Sequence, residues 1–207
     1  MDIEQLADRI RTHHNGADRL MVAITGAPAS GKSTLAETLC LQLGGDVGGV
    51  AIMPMDGFHF DDAILKERDL LPRKGAPNTF DVGGLKRTLI ALRDCRSEDV
   101  YVPVFDRKLE ISRGSARIIA PRHKTILVEG NYLLLDQAPW HQLHDLFDLS
   151  IFLDVPEDIL RARLINRWRG YGFDDATATR KAETNGLPNA QTVIRGSRGA
   201  DIRIQIE

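Results

Sequence analysis

Cysteine is almost missing from this chain: 207 residues hold two, Cys40 and Cys95. They lie far apart and fit no metal-ligand spacing, which sets cysteine-based metal sites aside. Cys40 falls in an apolar helical pattern and reads as a buried thiol. An excess of either charge is missing too. The 27 Lys and Arg against 29 Asp and Glu leave a net charge of -2, with no run of like charge. That field argues against non-specific binding to nucleic acid or a membrane surface. No apolar run approaches the roughly 20 residues of a membrane span. The opening residues, Met1-Asp2-Ile3-Glu4, are acidic and then amphipathic, unlike a signal peptide, so the expected location is cytoplasmic. Repeats and low-complexity linkers are absent, and the length suits one sizeable core with a small inserted lobe.

What is present centres on Gly26-Ala27-Pro28-Ala29-Ser30-Gly31-Lys32-Ser33-Thr34, entered from the apolar run Leu20 to Thr25. The stretch fits G-x-x-x-x-G-K-[ST] without mismatch, between an expected strand and a helix opening near Ser33. Gly26 and Gly31 free the backbone so that successive N–H groups can converge on an anion. The helix start adds unpaired N–H groups and the positive end of its dipole. Lys32 brings a cation to the outer phosphates, and the Ser33 hydroxyl is placed to ligate Mg2+. The rival G-x-G-x-x-G fingerprint of dinucleotide enzymes fails because Pro28 stands where backbone must approach a pyrophosphate.

Apolar runs predict five parallel strands, at 20–25, 50–55, 125–129, 149–154 and 201–206, in an α/β fold. Helices are expected over 2–14, after the phosphate loop with Leu35, Leu39 and Leu43 inward, from Ala63 to Leu70, and through Leu85, Leu89 and Leu92. Asn15-Gly16 should end the first of them. Asp99 to Asp106 and Gly114 to Ile119 read as a two-stranded flap over the site. Residues 186–200, rich in Gly, Pro, Asn and Arg, read as a loop.

Asp56, ending the second strand, should point into the crevice that holds Lys32. A carboxylate there suits a base that takes a proton from an attacking hydroxyl, a reading that the strand-end position beside the phosphate loop favours over a cap on the turn at Gly57. Glu129 ends another strand, where a phosphate-loop enzyme keeps a second acid for metal, water or substrate. Arg161, Arg163, Arg167 and Arg169 precede Gly170-Tyr171-Gly172, with Arg163 and Arg167 on one helical face. They fit a closing lid that neutralises a phosphoryl group, or an exposed amphipathic helix. Arg107, Lys108, Arg113, Arg117 and Arg122 in the flap form either a solvated surface or an anion site. Asp81-Val82-Gly83-Gly84 matches a D-x-x-G switch, but no N-K-x-D guanine motif occurs, and Asp81 reads as a helix cap. His13 and His14, and His141 and His144, carry no metal-site pattern, and the latter pair reads as surface.

Gly26 to Ser33, Met55-Asp56-Gly57-Phe58-His59, Lys74 to Asp81, Phe105-Asp106-Arg107 and Val128-Glu129-Gly130-Asn131-Tyr132 together resemble the phosphoribulokinase/uridine kinase/bacterial pantothenate kinase superfamily. The resemblance covers nearly the whole chain and is strongest to the small nucleoside/nucleotide kinase-like or fructose-transport-system kinases. It implies a P-loop NTPase fold: three α/β/α layers around a five-stranded parallel sheet. One kinase domain over 1–207 is expected, with a substrate lobe at about 57–122 and an arginine lid at about 161–186. It also implies ATP and Mg2+ as cofactors, with Gly26 to Thr34 around the phosphates and Ser33 on the metal. Asp56 corresponds to the family's base, Glu129 to its strand-end acid, and Arg163 and Arg167 to its lid arginines, with Arg169 a further candidate. The loop before the last strand points to Arg195 to Arg198 at the adenine, Arg198 first among them. His59, Lys74, Phe80, Phe105 and Arg107 join Asp56 and Glu129 as expected acceptor-binding positions. Phe105 and Glu110 stand where uridine kinases place Tyr and His, which speaks against uridine. The expected partner is a small hydroxyl acceptor such as a sugar, nucleoside or pantothenate-like molecule, with a homodimer expected from relatives. A GTPase or a non-catalytic nucleotide-binding regulator is the competing class.

Overall fold

The computed structural model describes residues 2–13, 18–94 and 97–206. Strand β1 (Leu20–Gly26) is buried at every position. A strand covered on both faces needs a continuous apolar run rather than alternation, and this one has it. It pairs in parallel with β5 (Thr125–Gly130) on one side and β6 (Leu149–Asp154) on the other. β2 (Val50–Pro54) extends the sheet beyond β5, and β7 (Ile202–Gln205) beyond β6. The order is β2-β5-β1-β6-β7. The five expected strands are thus present, each shifted by no more than a residue at its ends. Their register places Pro54, Glu129 and Ile24 in one row across β2, β5 and β1.

Alternate strand residues serve opposite faces, as the two-residue pleat requires. Met21, Ala23, Ile126, Val128 and Phe152 pack with Leu85, Leu89 and Leu92 of α4 (Val82–Asp94). Leu20, Val22, Ile24, Leu127 and Ile151 pack with α1 (Ile3–Thr12) and α2 (Lys32–Gln42) through Leu6, Ile10, Ala36 and Leu39. Each such aliphatic side chain contributes about 1.5–3 kcal/mol by leaving water. Asp2 and Gln5 close a capping box on α1, while its expected stop at Asn15-Gly16 lies outside the described residues, as do His14 and Cys95. Cys40 is half-buried rather than buried, at the border of the face that carries Ala36 and Leu39. The Asp81 carboxylate accepts from the Gly84 N–H at 2.8 Å and caps α4, which accounts for the D-x-x-G match.

Three elements differ from the sequence pattern. α3 (Asp62–Glu67) stops short of Leu70. The flap pairs β3 (Val100–Asp106) with β4 (Ile111–Ile119), which begins three residues earlier than expected. The third is a correction: residues 186–200 are largely helical. α6 (Asp175–Lys181) continues through a π-helical turn at Ala182–Gly186 into α7 (Leu187–Gly196). Pro188 follows the π-helical turn, and the Thr184 carbonyl that its missing N–H leaves unpaired accepts from Arg73 at 2.9 Å. Burial of Asn189, Ala190 and Val193 along one face then overrides the loop-like composition. Among the described residues no helix is long and apolar enough to cross a membrane.

Candidate active site

The loop between β1 and α2 turns on two left-handed residues, Ala29 (φ 67) and Gly31 (φ 96). Gly31 takes that conformation freely, whereas Ala29 carries a cost of about 1–2 kcal/mol. Lys32 opens α2 behind them, buried, with Nζ 3.5 Å from the Ala27 carbonyl. Burial lowers its pKa, against the opposing charges of Glu129 and Asp56. In front of it lies a cavity of about 820 Å³.

A 3-10 turn at Met55–Phe58 lifts Asp56 off the end of β2. The flap crosses it so closely that a Cβ on Gly57 would meet the Pro103 carbonyl at 2.3 Å, which demands glycine there. The Asp56 carboxylate caps no turn; it accepts from Arg107 Nη2 at 2.5 Å. Burial pushes its pKa up, but His59, Arg107, Lys32 and Arg167 outweigh that and hold the carboxyl below the ordinary range. On the neighbouring strand β5, Glu129 is 8% exposed and accepts from Ser33 Oγ at 3.1 Å. There burial wins and raises the pKa, with Lys32 opposing. A hydroxyl beside a carboxylate suits a hard cation whose remaining ligands are phosphate oxygens and water. No group of three or more His, Cys, Asp or Glu able to hold a metal alone occurs among the described residues. Asn131 Oδ1 is buried without a partner on the cavity wall, where a ligand donor would satisfy it.

The opposite wall is aromatic. The His59 ring lies between Phe80 and Phe105, at 4.0 and 4.7 Å between centroids, and its Nδ1 is 2.8 Å from the Asp56 carbonyl. Burial lowers the His59 pKa and favours the neutral ring. Lys74 Nζ donates to Asp62 and to the Glu110 carbonyl, both at 2.7 Å. The loop carrying Lys74 is fixed from three sides. The Tyr132 hydroxyl donates to the Gly75 carbonyl at 2.6 Å, and Asn185 Nδ2 to the Lys74 carbonyl at 2.9 Å. Arg73 reaches the Thr184 carbonyl at 2.9 Å and Asn189 Oδ1 at 3.2 Å.

All seven expected acceptor positions line this cavity, together with Lys32, Ser33 and Arg167. Arg163 and Arg198 are elsewhere. Arg163, one turn before Arg167 on α5 (Glu157–Gly170), donates to the Ser30 carbonyl at 3.3 Å from the outer side of the loop. It lines a second cavity of about 510 Å³ with Leu35, Leu153, Ile204 and Ile206. Arg198 follows α7, donates its backbone N–H to the Leu134 carbonyl at 2.9 Å and lines neither cavity. Arg161 and Arg169 pair with Glu183 and Asp175. In the flap, Arg113 pairs with Asp106, Arg117 meets the Ile52 carbonyl and Arg122 pairs with Asp46, so of these arginines Arg107 faces the cavity. His141 is exposed, while His144 is half-buried rather than at the surface. Asn131, Trp168, Tyr171, Arg180, Lys181, Asn185 and Asn189 line the cavity without having been singled out.

A phosphate loop set against two strand-end carboxylates at the carboxyl edge of a parallel sheet defines a P-loop kinase. The chain belongs to the phosphoribulokinase / uridine kinase family, whose model matches residues 21–205. It is 36% identical over 196 residues to the uncharacterised protein YggC of Escherichia coli (strain K12), covering 93% of this chain and 80% of the relative. A Schizosaccharomyces pombe (strain 972) protein provisionally named a uridine kinase is 30% identical over 198 residues, covering 90% and 83%. The crystal structure of a Silicibacter sp. TM1040 protein, provisionally named a fructose transport system kinase, is similar at TM-score 0.92 and 38% identity, covering 99% of both chains.

Proposed function

We propose that the protein is an ATP- and Mg2+-dependent phosphotransferase that moves the γ-phosphate to a hydroxyl of a small metabolite. The observation that carries this is Asp56 and Glu129 facing Lys32 across one cavity. Ala29, Gly31 and Thr34 line both cavities, so a triphosphate following the loop reaches from one to the other. The base then lies in the second cavity against Leu35, Ile204 and Arg163. Lys32 and Arg167 hold the charge of the outer phosphates in the first, where electrostatic stabilisation does most of the catalysis. Ser33 and Glu129 would hold Mg2+, which when bound neutralises phosphate charge. Asp56 accepts the proton of the acceptor hydroxyl, whose remaining atoms pack against His59, Phe80 and Phe105. Residues 161–186 act as the lid that brings Arg167 in, within a single kinase domain.

The test is an ADP-release screen over sugars, sugar phosphates, nucleosides and pantothenate, on the wild type and Lys32→Met. The expected result is ADP release that depends on an acceptor, on Mg2+ and on Lys32. Acceptor-independent release, or a preference for GTP, overturns the assignment in favour of a switch or regulator.

A further inference from the structure

The proposed base is already occupied. Arg107 comes from the end of β3, on the acceptor side of the cavity, and its guanidinium lies 2.5 Å from Asp56 Oδ2. Asp56 is its ion-pair partner among the described residues. A guanidinium in that place blocks one oxygen of the carboxylate and holds down its basicity, both of which oppose proton abstraction. Arg107 is also half of a pair. Its guanidinium and the Lys74 ammonium both stand over the Phe105 ring, 5.9 and 5.2 Å from the centroid. Lys74 is held in place by Asp62 and the Glu110 carbonyl, with 16% of its side chain exposed. Two cations over one aromatic ring, beside the His59 imidazole at 4.7 Å, make a site for an anion carried on a small organic frame.

We propose that the acceptor carries a carboxylate or phosphate that draws Arg107 off Asp56, with Lys74 completing its binding site. This rests on the phosphotransfer assignment above. Arrival of the anion frees the base in the same event that seats the hydroxyl. The hydroxyl oxygen then bonds to the γ-phosphorus, the bridging P–O bond of ATP breaks with ADP as leaving group, and Asp56 receives the hydroxyl proton. A neutral acceptor leaves Arg107 on Asp56 and is a poor substrate.

Matched probes test this: glycerate against glycerol, pantothenate against panthenol, and fructose 6-phosphate against fructose. Each is assayed by ADP release, and by calorimetric binding to the enzyme with and without Mg2+ and a non-hydrolysable ATP analogue. The expected result is a preference of about ten- to a hundredfold for the anionic member of at least one pair, the range of a charge-assisted hydrogen bond. Arg107→Gln should bring that pair close to parity by weakening the anion, and Arg107→Lys should keep part of the preference. The first two pairs read a carboxylate and the third a phosphate. Equal handling of every pair, a neutral member preferred throughout, or an anionic preference that survives in Arg107→Gln overturns the proposal. Failure of the phosphotransfer assignment looks different: no acceptor-dependent ADP, while calorimetry still reads whether anions bind the wild type and not Arg107→Gln.

Discussion

Replacing Asp56 by Asn separates the chemistry of the site from its architecture. The amide keeps the shape of the carboxylate and an oxygen for Arg107, but loses the charge and the affinity for a proton. A positioned base contributes about 10²–10⁴ in rate, so turnover should fall by that factor, equivalent to about 3–5 kcal/mol in the barrier. The fold should scarcely notice. Arg107 and Asp56 side chains are 46% and 20% exposed, and an ion pair so open to solvent is worth about 1 kcal/mol or less. That corresponds to a melting shift of about 2–4 °C for a chain of this size. Nucleotide affinity should be unchanged or tighter, because a negative charge beside Lys32 has gone. Steady-state ADP release with the best acceptor from the screen, a nucleotide-binding titration and a thermal melt measure the three quantities. Turnover within about tenfold of wild type, with binding and melting intact, would refute the assignment of Asp56 as base.

Three further perturbations probe the rest of the site. Glu129→Gln removes a buried carboxylate whose charged form is disfavoured; it should raise stability by about 1 kcal/mol while lowering activity and raising the Mg2+ requirement, and a less stable variant would contradict this. His59 has a folded pKa below its ordinary 6.5, so the unfolded chain binds the proton more readily. Its contribution to stability is therefore complete above pH 6.5 and lost as pH falls through the folded value, a slope that melts from pH 8 to 5 should show and His59→Gln should remove. Arg163→Met should weaken nucleotide binding about tenfold, by loss of its bonds to the Ala29 and Ser30 carbonyls, and leave the acceptor KM alone; the reverse pattern would return Arg163 to the transferring phosphate.

The sheet was legible because its strands are covered on both faces and must be apolar throughout, and the phosphate loop because its conformation demands glycine and its chemistry demands lysine. What lay beyond the sequence was direction. Arg163 and Arg167 share a helical face, yet one turn of α5 is enough to place them on opposite sides of the loop. Arg198 was reachable only by analogy, and α7 carries it away from both cavities. The same helix escaped notice because Gly186, Pro188 and Asn189 are loop formers in isolation. Their helical state is set by burial against the rest of the fold, so the grip of Asn185 and Asn189 on the loop around Lys74 could not be seen. The Arg107–Asp56 pair spans 51 residues and depends on the flap lying across Gly57, which no local pattern encodes.

The row that joins Pro54, Glu129 and Ile24 works as a gauge. Neighbouring strands stand about 4.8 Å apart, so the strand that leads to Asp56 and the strand that ends at the phosphate loop are held about 10 Å apart, with Glu129 between them. Main-chain hydrogen bonding sets that span, and no side-chain substitution alters it. The far wall of the cavity hangs on separate pieces, the loop around Lys74 and the flap around Phe105. Such a molecule can exchange what it phosphorylates by rewriting those pieces while the distance over which the phosphate travels stays fixed.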